Sequence, residues 1–219
     1  MGHVIENALA KPLLRGWSHL VAFTACSVLA CLVVVRASGA SATAATLIYA
    51  AGICTMLGVS TLYHRVRWGE RARSVMARLD HTTIFLGIAA TYTPVGVLVL
   101  DGWARVTVLA IVWGGAALGS MLVWLPIKMS RLYSAATYAA VGWAAMIALP
   151  QLVSGLGGVG FALILGGGLA YTFGAVVYAL KRPDPWPRVF GFHEVFHAFT
   201  IVGVGTHLAA IGLIVVPRA

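Results

Sequence analysis

The chain has 219 residues, of which 60% are hydrophobic and only 10% charged, and its mean hydropathy is +0.92. Soluble domains carry about 25% charged residues, so the composition excludes an ordinary water-soluble domain and leaves an integral membrane protein. The net charge of +9 does not point to nucleic acid, because the basic residues sit in short clusters between apolar segments, as membrane loops do.

Residues 1–16 form a short polar head with Lys11 and Arg15, and an apolar run from Trp17 to Val35 follows. Basic residues, an apolar run and then Ala40-Ser41-Ala42 look like a cleaved leader, but at about 19 residues the run exceeds the usual 7–15 of a leader core. A retained first membrane helix is expected. Six more runs have the ~20-residue length of a bilayer core: Ala42–Tyr63, Thr82–Leu100, Ala104–Trp124, Leu132–Leu149, Val159–Leu180 and Val195–Val216. The expectation is an all-α integral membrane protein with seven transmembrane helices, forming one membrane domain over 17–216 behind the head at 1–16. Every Lys and Arg other than Arg36, Arg105 and Arg218 falls in the head or in the second, fourth and sixth loops. That bias places the N-terminus in the cytoplasm and the C-terminus outside. A multi-pass protein of the cell's inner (plasma) membrane is expected, with membrane lipids as its partners.

Smaller features have plain readings. Cys26, Cys31 and Cys54 all lie in apolar segments and read as small hydrophobes, not as a disulfide or metal framework. Gly155, Gly157, Gly158 and Gly160, then Gly166-Gly167-Gly168, suit close helix approach better than a phosphate loop, which should follow a strand. Pro94 should kink the third helix. Trp17, Trp103, Trp124 and Trp186 stand near segment ends, where interfacial anchors sit.

Polar groups converge at one depth. His64 ends the second helix, Asp80 opens the third, and His193 and His197 open the seventh, all on the side assigned to the cytoplasm. Ser60 lies one turn deeper than His64 on the same face. His193 and His197, four apart on a helix, project from one face about 6 Å apart along the axis. Each residue alone has an ordinary explanation: interfacial histidines, a carboxylate favoured by a helix N-terminus, a serine bonded to its own helix. Ionisable residues within membrane segments are expensive and usually functional, and three imidazoles with an open position make a catalytic zinc set. Zinc lowers the pKa of a bound water toward ~7, with Asp80 to hold that water or take its proton and Ser60 to orient it. His193-Glu194-Val195-Phe196-His197 also fits the HExxH pattern of zinc proteases. Glu194 lies about 100° round the helix from His193, so Asp80 is the better acid–base candidate. His3, His19 and His207 look less suited as ligands, His207 being about 15 Å along the helix from His197. His81, beside Asp80, is at most an outer neighbour of the site.

These stretches resemble the hemolysin III family, the bacterial branch of the seven-helix membrane proteins that include the progestin and adiponectin receptors. The resemblance is carried, in family order, by Ser60-Thr61-Leu62-Tyr63-His64, Leu79-Asp80-His81, Thr91-Tyr92-Thr93-Pro94 and His193-Glu194-Val195-Phe196-His197. The family is similar in turn to alkaline ceramidases. The resemblance implies zinc on His64, His193 and His197, with Ser60 and Asp80 around its water, and a metal-dependent membrane hydrolase.

The leading expectation is therefore a zinc-dependent hydrolase of a lipid amide or ester, acting in membrane lipid homeostasis. One alternative is a non-enzymatic sensor or receptor-like protein with structural zinc. Another is the cytolysis in the family's name, against which the sequence offers no amphipathic pore former. An intramembrane zinc protease is disfavoured because the aspartate precedes the HExxH stretch.

Overall fold

The computed structural model describes residues 12–126 and 130–218. His3, Lys11 and Lys128 lie outside them. The described chain is almost entirely helical: α1 (Trp17–Arg36), α2 (Ala40–Arg65), α3 (Glu70–Leu98), α4 (Gly102–Trp124), α5 (Arg131–Gly142), α6 (Leu149–Leu180) and α7 (Phe192–Ala210). A 3-10 turn (Ala144–Ala148) joins α5 to α6, and α7 continues through a π turn at Ile211–Val215.

Among the described residues, six stretches are long and apolar enough to cross a membrane: Trp17–Arg36, Ala40–Arg65, Glu70–Leu98, Gly102–Trp124, Arg131–Leu180 and Phe192–Val215. Apolar side chains such as Val35, Leu132 and Val159 lie on the outside of the bundle, as lipid contact requires. The chain is a multi-pass membrane protein by this composition. Helix neighbours in sequence pack on one another, and α1 also meets α7, so the helices close into a ring.

Two features of this ring follow from particular residues. The α2–α3 contact is close because Gly52 faces Ala90: a Cβ added at Gly52 would lie 2.2 Å from the Ala90 Cβ. Small residues are what permit such approach in lipid, where tails are as apolar as side chains. The second feature is the broken stretch 131–180. The fifth and sixth apolar runs were expected at Leu132–Leu149 and Val159–Leu180, but α5 stops at Gly142 and α6 begins at Leu149 and is interrupted at Gly157, with φ 69° and ψ 174°. Backbone groups freed at the first break need partners away from water. Tyr92 provides them: its hydroxyl donates to the Gly142 carbonyl and accepts from the Ala145 N–H at 3.2 Å. Pro94 sits inside α3, which runs on through it to Leu98.

Helix lengths set where polar groups lie. The 29 residues of α3 span about 43 Å at 1.5 Å per residue, more than the ~30 Å of a hydrocarbon core. Its first turns, from Glu70 to Val75, are exposed accordingly. The excess puts Asp80 about three turns inside the helix, level with the end of α2 and the start of α7.

Candidate metal centre

His64 is placed by the last turn of α2, and His193 and His197 by the first two turns of α7. One ring nitrogen from each can be chosen so that all three lie within 4.8 Å of one another. His64 Nε2 and His193 Nε2 are 3.1 Å apart. Two nitrogens sharing a tetrahedral zinc at ~2.05 Å would be about 3.3 Å apart, so this pair fits a small divalent ion by type and spacing, and His197 adds a third donor of the same type within 4.8 Å. His64 and His197 are buried, at 5% and 1% exposure, and His197 Nδ1 is buried without a hydrogen-bond partner.

The start of α7 is held firmly. Its first N–H groups point out of the helix and need acceptors. Asp184 Oδ1 accepts from the Phe192 N–H, and Glu194 Oε2 accepts from the Gly191 N–H, both at 2.8 Å. Glu194 is also ion-paired through Oε1 with Arg15 and is only 1% exposed. Both of its oxygens are thus engaged in fixing the helix.

Asp80 Oδ2 is 4.0 Å from His64 Nε2. The Ser60 hydroxyl lies beside the Asp80 carboxyl, and Ser60 Oγ is 2.9 Å from His19 Nδ1. Which of His19 Nδ1 and Ser60 Oγ donates is set by the His19 tautomer. His19, Ser60, Asp80 and His64, from three helices, thus lie side by side at the histidine cluster.

The outlying histidines are otherwise engaged. His81 Nδ1–H donates to the Ala77 carbonyl at 2.8 Å, and Nε2 faces the Tyr178 hydroxyl at 3.4 Å. His207 Nε2–H donates to the Ile164 carbonyl at 3.0 Å. His19, which looks less suited as a ligand from its sequence position, stacks its ring on that of His197. The available signal was a histidine early in α1, at the depth of Ser60. Arg15 was read only as a topology-setting charge; its pairing with Glu194 joins segments 179 residues apart and left no local pattern.

The cluster opens on a cavity of about 320 Å³. His64, Asp80 and His193 line it at one end, Met56 and Ile88 along its wall, and His207 further in. His207 is about 15 Å along α7 from His197, so the cavity reaches from the polar cluster into the apolar interior.

The model of the Haemolysin-III related family matches residues 7–208. The chain belongs to the haemolysin III family. It is 29% identical over 226 residues to Hemolysin-3 of Bacillus cereus, covering 100% of this chain and 96% of that one. It is 32% identical over 144 residues to a Hemolysin-3 homolog of Bacillus subtilis (strain 168), covering 66% of this chain and 64% of the relative. It is 28% identical over 187 residues to the heptahelical transmembrane protein ADIPOR2 of Oryza sativa subsp. japonica, with 77% and 80% covered. The histidine cluster, Ser60, Asp80 and the Tyr92 brace all lie inside the span matched by the family model.

Proposed function

We propose that this haemolysin III family protein is a zinc-dependent hydrolase of a lipid amide or ester. The observation that carries the reading is the histidine triad, with ligand nitrogens within 4.8 Å, facing one end of a cavity deep enough for an acyl chain. His64, His193 and His197 would hold the ion, with Asp80 and the cavity beside them. Zinc held there supplies Lewis acidity toward a carbonyl oxygen and a water. Asp80 accepts a proton from the water and returns it to the departing amine or alcohol. Ser60, bonded to His19 at 2.9 Å, stands beside the Asp80 carboxyl and would keep it turned toward the triad. Met56, Ile84, Ile88 and Phe196 line the same cavity and exclude water from an apolar chain lying along them.

The proposal includes the architecture around the site. Counting the broken stretch 131–180 as two passes gives seven, the number in the name of the rice relative. Clustered basic residues set the N-terminus and the triad on the cytoplasmic face of the plasma membrane. A lytic function is supported only by the names of the Bacillus relatives.

The test is turnover of N-acyl and O-acyl lipids by protein purified into lipid nanodiscs, wild type against Asp80→Asn. Loss of a general base costs about 10²–10⁴-fold, so Asp80→Asn should retain metal and lose at least about 100-fold in rate. A wild type inert on both lipid classes, or equal rates for the two proteins, would contradict the proposal.

A further inference from the structure

The segment just before α1 contacts both helix ends that carry the triad, through neighbouring residues. Arg15 ion-pairs with Glu194, whose other oxygen caps the start of α7 next to His193. Gly16, the next residue, packs on the end of α2: a Cβ built there would lie 2.7 Å from the His64 Cβ. Its φ of 81° is a left-handed value that glycine adopts without strain. A planar peptide unit fixes consecutive Cα atoms about 3.8 Å apart, so the α7 contact and the α2 contact are registered by one rigid link.

Further ties run to both sides. On the α7 side, the Leu13 N–H donates to the Arg188 carbonyl at 3.0 Å and the Leu14 N–H to the Val189 carbonyl at 3.1 Å. On the α2 side, the Arg65 guanidinium lies 4.0 Å from the Trp17 ring centroid. α2 and α7 are otherwise separated in the sequence by more than a hundred residues, and each triad nitrogen depends on where its own helix ends.

We propose that residues 13–17 are a clasp that sets the spacing of His64 against His193 and His197, with Arg15 as its positioning residue. The link to metal rests on reading the triad as a metal site; the clasp itself does not. Arg15 acts through Glu194, and the guanidinium matches a buried carboxylate that also serves a helix N-terminus.

The test uses full-length protein in nanodiscs. Arg15→Met alone strands a buried carboxylate and risks misfolding, so the decisive variant is Arg15→Met with Glu194→Gln, in which the amide oxygen still caps Gly191. Zinc affinity is read by competition with a chelating dye. Spin labels at Arg67→Cys and Arg188→Cys, with Cys26→Ala, Cys31→Ala and Cys54→Ala, report the spacing of the two helix ends without metal. The double variant should bind zinc about 10–100-fold more weakly, the range for outer partners of metal ligands, and broaden the distance distribution. Arg15→Lys should recover most of both. An unchanged distance distribution overturns the clasp whatever happens to zinc. A broadened distribution in a protein whose wild type takes up no zinc supports the clasp and overturns only the metal reading.

Discussion

His19 lies flat on His197, with ring centroids 3.7 Å apart and planes within 10° of parallel, while its Nδ1 is 2.9 Å from Ser60 Oγ. One side chain from α1 therefore supports a triad histidine with its face and the Ser60–Asp80 pair with its edge. The two duties separate by substitution. His19→Phe keeps an aromatic face and removes the ring nitrogen that Ser60 bonds, so metal content should hold while lipid turnover falls about 10-fold, in line with the loss of one hydrogen bond of about 1.5 kcal/mol. His19→Ala removes both and should also lower metal content. Equal turnover in His19→Phe and wild type would remove His19 from the site.

Tyr92 should be needed for the fold and not for the metal. Tyr92→Phe leaves the Gly142 carbonyl and the Ala145 N–H without the hydroxyl that joins them. Each unsatisfied buried group costs about 1–3 kcal/mol. A lowered unfolding temperature in detergent with unchanged zinc stoichiometry is the expected outcome.

The α2–α3 contact should be intolerant of a single methyl group. Gly52→Ala places Cβ 2.2 Å from the Ala90 Cβ, and overpacking of this kind costs about 1–3 kcal/mol. Gly114, inside α4, has nothing within 4 Å of its added Cβ. Gly114→Ala should therefore be neutral or stabilise by up to about 1 kcal/mol through helix propensity. Thermal unfolding of the two variants side by side checks the pair.

Orientation makes a separate prediction. In intact cells, a membrane-impermeant thiol reagent should label Asp101→Cys, in the turn between α3 and α4, and not Arg67→Cys, in the turn between α2 and α3, until the cells are opened. Both variants would carry Cys26→Ala, Cys31→Ala and Cys54→Ala. Reversed labelling would invert the topology and put the triad outside.

Apolar run length located the helix cores well where both ends meet charged or turn residues. The first run was expected at Trp17–Val35 and α1 is Trp17–Arg36; the fourth was expected from Ala104 and α4 starts at Gly102. It failed where a helix leaves the apolar region. α3 begins at Glu70, not Thr82, because its first turns are polar, and hydropathy cannot separate solvated helix from loop. It failed again across 131–180, where Gly142 and Gly157 interrupt a stretch that is apolar throughout. At the site, the grouping of His64, His193 and His197 was legible because helix ends fix depth and i,i+4 spacing fixes a face. His19 and Arg15 were not, because their partners are distant in sequence and only tertiary packing brings them together.

The proposed chemistry depends on one zinc ion held by His64, His193 and His197. The most direct measurement is metal content of the purified protein by mass spectrometry, wild type against His64→Ala and His197→Ala, each checked for folding by its helical circular dichroism. One zinc per chain is expected in the wild type and little in either variant. Folded His64→Ala or His197→Ala protein carrying as much zinc as the wild type, or a wild type that takes up none, would contradict it.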